Sequence, residues 1–403
     1  MSGQERTLEL YRGVAPAGTV DLLYRLADRL KGKSLLHVNS TRWGGGVAEM
    51  LHRLVPLFVS LGINTRWEVL EGTPLFYKVT KSFHNALQGD AQNITDEMYK
   101  EYVRVNKQNA QKLDLNADVA IIHDPQPAAF ISQKPRNAKW LWRCHIDASR
   151  PQRKVWQFLS KYVEKYNGAI FSLPGFAQKL KAPQYLMYPS IDPLSDKNKD
   201  LGPEEVQAVL RRFEIPTDKP IILQVSRFDR FKDPIGVIKA YQMAKKYNDC
   251  YLVLAGGGAA DDPEGAQVLQ EVRDAAAKDK DMFILDLPAD SNIEINALQR
   301  AAAVILQKSL KEGFGLTVSE AMWKGKPVIG GFVGGITAQI MYGATGYTVN
   351  SVEGCAYQIR YLLNNPDSAN RMGAAAKEFT RRNFLITRHL VDYLSLMIAN
   401  IGV

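Results

Sequence analysis

Short apolar runs alternate along this chain with longer segments whose apolar residues recur every three or four positions. The first clear case is Leu35, Leu36, His37, Val38 and Asn39, a strand pattern that runs into a polar, glycine-rich loop. Behind that loop Val47, Met50, Leu51, Leu54, Leu57, Phe58 and Leu61 fall at helical spacing, and Gly62 stops the helix. Further strands are predicted at 65–70, 119–122, 140–144 and 169–171, with helical periodicity between them. Residues 183–203 break the rhythm. Pro183, Pro189, Pro193 and Pro203 fix φ and withhold donors, so the segment is expected to be a rigid inter-domain connector. The alternation then restarts, with strands at 221–225, 251–254, 283–285, 304–306 and 328–329 and helices at 233–247, 264–277, 293–302, 316–324 and 352–364. From Pro366 the tail reads as helix, with a break near Asn383 and Phe384. Strands joined by helices build parallel sheets covered on both faces, so the pattern predicts two doubly wound α/β domains in tandem. Ligands of such sheets bind beyond the carboxyl ends of the strands. A substrate site is therefore expected in a cleft between two facing sheets.

A length of 403 residues suits two domains better than one or four. A 46% hydrophobic, 23% charged composition excludes a disordered or collagen-like chain. No apolar run approaches the ~18 residues of a membrane span, and the first residues lack the apolar core of a secretion signal. A cytoplasmic protein without a membrane partner is the expectation. Cys144, Cys250 and Cys355 are widely spaced, without metal-ligand spacing, and read as reduced thiols. The net charge of +9 leaves two readings open: a solubilising surface, or a site for an anionic small substrate. Nucleic acid is disfavoured, because the basic residues are dispersed and not interleaved with aromatics.

Chemistry is sought just after strands. The run Gly44, Gly45, Gly46 lets backbone N–H groups approach an anion ahead of a helix, or simply makes a tight turn. Neither it nor Gly256–Gly258 fits a dinucleotide fingerprint, and Gly32-Lys33-Ser34 lacks the first glycine and the preceding strand of a P-loop. Arg227 and Lys232, after the strand at 221–225, either clamp a diphosphate or form a solvated basic loop. The segment from Lys311 to Ala321 follows the strand at 304–306 and runs into a helix. Gly313 and Gly315 free the backbone around Phe314, and the N–H groups of Leu316 and Thr317 are unpaired helix-start donors suited to phosphate. Glu312 and Glu320 bracket this loop, and carboxylates accept from vicinal hydroxyls. In the first half, His123 with Asp124 and His145 with Asp147 stand at the ends of successive strands, where they are expected to face one cleft. His52, His84 and His389 lie in helical patterns and read as structural. Asp279 and Asp281 precede a strand, the wrong end for a metal–nucleotide site, and read as surface charge.

The Glu312-Gly-Phe-Gly-Leu run with Glu320, the Arg227 and Lys232 pair and the glycine-rich first loop together resemble the retaining glycosyltransferase family 4, of GT-B fold. More narrowly, the stretches 37–41, 44–49, 123–128, 142–147, 224–229 and 320–329 resemble the archaeal trehalose glycosyltransferring synthases, and fungal-type trehalose phosphorylases are similar in the same blocks. The resemblance implies an acceptor-binding domain over 1–188, completed by a helix over 384–403 that crosses back to it, and a nucleotide-sugar domain over 189–383. It implies transfer of glucose from a nucleoside diphosphate glucose to free glucose, giving α,α-trehalose. Arg227 and Lys232 would bind the diphosphate, Glu312 the donor sugar and Glu320 the ribose. His145 would meet the donor sugar near its reacting face, with Asp124, Gln126 and Asp147 toward the acceptor and Gly45 and Gly46 toward the donor. No tightly held metal is implied, with magnesium at most a loosely bound stimulant, and homodimerisation is left open. Two alternatives stand beside this: a phosphorylase using inorganic phosphate, and a non-catalytic sugar- or nucleotide-binding regulator.

Overall fold

A computed structural model describes residues 7–43, 45–257 and 263–402, so Gly44 and Gly258 of the two glycine runs lie outside the described residues. The chain forms two α/β units, one running to Ser190 and taking in Ile386 onward, the other Ile191–Leu385.

In the first unit, strands β1 (Ser34–Asn39), β2 (Asn64–Val69), β3 (Val119–His123), β4 (Lys139–Cys144), β5 (Gly168–Phe171) and β6 (Gln184–Leu186) lie in the order β2-β1-β3-β4-β5-β6. Every neighbouring pair is parallel. Helices α1 (Thr19–Arg29), α2 (Gly46–Ser60), α3 (Pro74–Leu87), α4 (Asp96–Lys112) and α5 (Arg153–Val163) accompany them. All five residues of β3 are buried, as a parallel strand covered on both faces requires. Thr73 and Thr95 start α3 and α4 by accepting the N–H groups of Phe76 and Met98.

The second unit repeats the plan with β7 (Ile221–Val225), β8 (Tyr251–Gly256), β9 (Met282–Asp286), β10 (Val304–Gln307), β11 (Val328–Gly331) and β12 (Gly346–Val349), ordered β12-β11-β10-β7-β8-β9 and parallel throughout. Its helices are α6 (Pro203–Arg212), α7 (Pro234–Lys245), α8 (Pro263–Ala276), α9 (Asn292–Ala301), α10 (Leu316–Trp323), α11 (Ile336–Gln339), α12 (Val352–Asn364) and α13 (Pro366–Asn383). Two apolar layers sandwich the sheet. Val237, Tyr241, Leu252, Leu306 and Ile359 belong to one, and Leu223, Val253, Ile305, Val318 and Ile336 to the other. After the break past Asn383, α14 (Ile386–Ile401) belongs to the first unit and packs on α1.

In each sheet the strand order reverses beside the first strand, between β1 and β3 and again between β7 and β10. Connections leaving such a point depart to opposite faces and open a crevice at the carboxyl ends.

Three expectations need correction. Residues 184–186 are not connector: they pair with β5 as an edge strand, too short to show alternation. Pro203 likewise opens α6, where a missing N–H costs nothing and Glu205 accepts the Gly202 N–H at 2.7 Å. Asp281 is not surface charge: it is buried, 2.8 Å from Lys245 Nζ and 3.5 Å from Lys219 Nζ, and Asp279 also pairs with Lys245. Strand β12 escaped notice for a different reason, being four residues long, headed by glycine and only half buried.

The loop after β7 runs against the end of β8 with no room for a side chain. A Cβ on Gly256 would lie 1.8 Å from the Ser226 carbonyl oxygen. Gly256→Ala should therefore destabilise the protein by about 1–3 kcal/mol in chemical denaturation, the usual cost of overpacking. Gly175→Ala, where a Cβ meets nothing within 4 Å, should stay within about 0.5 kcal/mol of wild type.

Candidate functional site

The loops after β7 and β10 leave the second sheet on either side of its reversal, and two buried amides tie them down. Gln224 donates from Nε2 to the Lys232 carbonyl at 3.0 Å and accepts the Lys308 N–H on Oε1 at 3.2 Å. Gln307 donates to Ser309 Oγ at 3.1 Å and to Glu312 Oε2 at 3.4 Å, and accepts from Thr317 Oγ1 at 2.9 Å. Glu312 Oε2 also accepts from Ser309 Oγ at 3.1 Å and from Lys232 Nζ at 2.7 Å. This ion pair is largely buried. Arg227 is well exposed, its Nη2 3.0 Å from Asp229 Oδ2. Asp229 in turn accepts the Lys232 N–H at 3.2 Å, which shapes the turn between the two cations. Arg227 and Lys232 thus share a loop, but their side-chain charges pair with different carboxylates, Asp229 and Glu312. Lys308 pairs with Asp233, which starts α7 by accepting the Gly236 N–H at 3.1 Å.

Gly315 takes φ +81°, a conformation that favours glycine, and α10 begins at once without a side-chain cap. The N–H groups of Leu316 and Thr317 have no protein acceptor among the described residues. Close backbone packing fixes the path of this loop: a Cβ on Gly334 would lie 1.7 Å from the Glu312 carbonyl oxygen. The Gly313 carbonyl accepts the Gly335 N–H at 3.0 Å, and Phe314 packs edge-on against Phe384. Glu320 is buried in α10, with Lys197 Nζ 3.8 Å from its Oε1. One turn on, Lys324 donates to Asn198 Oδ1 at 2.9 Å and to the Glu320 carbonyl at 3.2 Å. Burial pushes the Lys324 amine down to about 7, against the pull of the Glu320 charge.

In the first unit, Gly45 (φ +80°) and Gly46 open α2. The loop before them carries aromatic packing. Trp43 stacks on His52 at 4.8 Å, and Arg42 lies 4.4 Å over the Trp67 ring, so His52 is a packing residue. Asn39 fixes the same tryptophan by accepting its Nε1–H at 2.8 Å.

After β3, Asp124 takes φ +64° and braces two strand ends. Its N–H donates to the Arg143 carbonyl at 2.7 Å, its carbonyl accepts Trp142 Nε1–H at 2.8 Å, and its Oδ1 accepts the His145 N–H at 2.7 Å. Burial raises the Asp124 carboxyl to about 7, against the His145 N–H and the Arg143 charge. Gln126 is held through its carbonyl by Asn106 Nδ2 at 3.0 Å, while its Oε1 is buried without a partner. Asp147 is occupied locally, accepting the Ser149 N–H at 2.9 Å. His123 and His145 do meet, Nδ1 to Nε2 at 2.9 Å, and His37 joins them, Nδ1 to His123 Nε2 at 3.0 Å. His389 is buried against Tyr393, with Nδ1 2.8 Å from Ser190 Oγ.

Sequence reasoning passed over His37, Lys308, Asp233, Lys197, Lys324 and Gln307. Lys308 and Gln307 stand at a strand end and were within reach of that rule. His37 sits inside an apolar run, where no pattern marks it. Among the described residues no three His, Cys, Asp or Glu side chains are grouped to hold a metal ion, and no helix is long and apolar enough to cross a membrane.

Residues 37–178 match the family described as "Trehalose synthase, N-terminal domain", and residues 206–379 match "Glycosyl transferases group 1". The chain is 47% identical to the trehalose synthase of Pyrococcus horikoshii, covering 98% of this chain and 97% of that one. It is 40% identical to the trehalose synthase of Rubrobacter xylanophilus, covering 99% and 98%. Among solved structures it is similar to HepE of Anabaena, determined in complex with UDP and glucose (TM-score 0.68, 13% identity, covering 91% and 99%). At that identity the likeness shows the two-domain GT-B glycosyltransferase fold alone.

The raised Asp124 carboxyl has a measurable signature. An acid whose folded pKa lies above its unfolded value holds its proton more tightly when folded, so its stabilisation is present in acid and lost as pH climbs through the folded value of about 7. Asp124→Asn keeps an acceptor for the His145 N–H but has no proton to lose. Its melting temperature relative to wild type should rise between pH of about 5 and about 8 and then level off. A difference that stays flat with pH would place the Asp124 proton at an ordinary value.

Proposed function

The chain belongs to the trehalose synthase family of group 1 glycosyltransferases, and from that membership we propose that it moves glucose from a nucleoside diphosphate glucose to free glucose, with retention, forming α,α-trehalose. The observation that carries this reading is the buried Lys232–Glu312 pair at the reversal of the second sheet, wired through Gln307 to the uncapped start of α10. A cation, a carboxylate and two free N–H groups on one set of loops suit a sugar linked to a diphosphate.

In this reading Arg227, Lys232 and the Leu316 and Thr317 N–H groups bind the diphosphate, with Gly313, Phe314 and Gly315 giving the backbone its close approach. Glu312 accepts from donor-sugar hydroxyls, and Glu320 accepts from the ribose. His145 contacts the donor sugar, and Asp124, Gln126 and Asp147 serve the acceptor. The bond from the glucose anomeric carbon to the leaving phosphate oxygen breaks as the acceptor's anomeric oxygen attacks the same face. The leaving phosphate, stabilised by Arg227 and Lys232, takes the proton of the attacking hydroxyl.

Incubated with a nucleoside diphosphate glucose and glucose in phosphate-free buffer, the protein should release nucleoside diphosphate and form a non-reducing disaccharide. A strict need for orthophosphate, or glucose 1-phosphate as the sole active donor, would replace this reading with a phosphorylase. Arg227→Ala and Lys232→Ala should each cost about 2–4 kcal/mol of transition-state stabilisation. Glu320→Ala should chiefly weaken nucleotide binding in calorimetry, whereas Glu312→Ala should chiefly lower kcat. Variants that bind and turn over normally while melting earlier would reduce these groups to structural roles.

A further inference from the structure

Three imidazoles stand in single file across the first sheet. His37 on β1, His123 at the end of β3 and His145 after β4 are joined by the 3.0 and 2.9 Å nitrogen contacts, with their rings stacked at 5.3 and 5.2 Å. His37 and His123 are buried, and His145 is partly exposed. Burial, reinforced by the buried Arg143 guanidinium, keeps the rings uncharged. It pushes His37 down to about 3 and holds His123 and His145 well below the usual imidazole range.

A neutral imidazole has one N–H and one lone pair. Each contact then has one donor and one acceptor, and the file must point one way. Pointing outward, His37 Nδ1–H donates to His123 Nε2, His123 Nδ1–H donates to His145 Nε2, and His145 carries its own proton on Nδ1. Pointing inward, every bond reverses and His37 keeps a proton on Nε2. That nitrogen is buried and has no partner. A stranded buried N–H is the rarer and costlier defect, and a stranded lone pair is better tolerated. The outward direction is therefore favoured. At its outer end His145 Nδ1 has no protein partner among the described residues, since the side chain bonds through Nε2 and the backbone N–H goes to Asp124.

We propose that His123, backed by His37, fixes His145 as the Nδ1–H tautomer, so that His145 meets an oxygen of the sugar as a hydrogen-bond donor and never as an acceptor. Free histidine side chains prefer the opposite tautomer, so the protein imposes the less common form. A sugar hydroxyl that accepts from His145 must send its own proton elsewhere, which sets its orientation. His37 and His123 are then positioning residues. Their link to a sugar rests on the glucosyltransferase reading above, whereas the tautomer does not.

Long-range proton–nitrogen correlation spectra of the full chain, labelled in its histidine rings, read the tautomer directly. In the wild type His145, assigned by its loss in His145→Asn, should be protonated at Nδ1. His123→Phe removes the donor to His145 Nε2. The ring should then revert to the Nε2–H form, with kcat for glucosyl transfer lowered by roughly 10- to 100-fold and KM for the nucleotide sugar little changed, as expected when a reacting group is misoriented. His123→Asn keeps an amide N–H near the lost Nδ1–H and should restore both the tautomer and most of the turnover. A wild-type His145 protonated at Nε2, or one indifferent to His123→Phe, overturns the proposal, and the wild-type spectrum decides even if the phenylalanine variant fails to fold. Protein with the expected tautomer but no transfer from any nucleoside diphosphate glucose keeps the tautomer assignment and removes the substrate reading.

Discussion

A parallel strand sheathed on both faces gives a polar side chain no water along its length, and this constraint arranges both units. β3, β7, β8 and β10 are buried at every position. Side chains that must meet solvent or ligand are driven to the carboxyl ends, where the chain turns out of the sheet. The reversal of strand order then decides which ends have room between them. In the second sheet that gap lies between β7 and β10, and it receives Arg227, Lys232, Lys308 and Glu312. In the first it lies between β1 and β3, where His123 and Asp124 leave the end of β3 and His37 on β1 meets His123 from within the sheet.

The loops that carry these groups are held from beneath. Gln224 and Gln307 lie near the ends of neighbouring strands, where a carboxamide has two donors and two lone pairs to spend on loop backbone and side chains. Each is buried and each holds more than one partner in the loop above it. Asp124 does the same in the first unit, tying its own loop to the end of β4 through three hydrogen bonds. A buried network of this kind is worth having only when its members are satisfied, and both glutamines use their nitrogen and their oxygen. Preorganised loops are what a site needs if binding is not to be spent on ordering them.

The sequence shows what periodicity and punctuation can carry. The strand, loop and helix rhythm exposes ten of the strands, and the rule that chemistry follows strands leads to Lys232, Glu312, His123, Asp124 and His145. Edge strands β6 and β12 were invisible because three or four residues, half exposed, have no alternation to display. Asp281 was misread because a carboxylate's burial depends on lysines 36 and 62 positions away, Lys245 and Lys219, which no local window contains. His37 was missed because an apolar strand conceals one imidazole among its neighbours. Its meaning appears only when β1 and β3 pair and bring it to His123. Lys324 has the same character: its partner Asn198 lies 126 positions away.

The return of α14 to the first unit makes that unit discontinuous in the chain. Tyr393, on α14, accepts from Arg143 at 2.9 Å and packs edge-on to His37 at 5.7 Å, while His389 covers Ser190. The interior beside the histidine file therefore lacks its lid until residues 386–401 exist. On a ribosome making about 5–20 residues per second, the second unit has its whole sequence in hand first, although it begins later. The first-born half of the molecule is the last to close, and over that interval Arg143 and His37 are without their Tyr393 contacts.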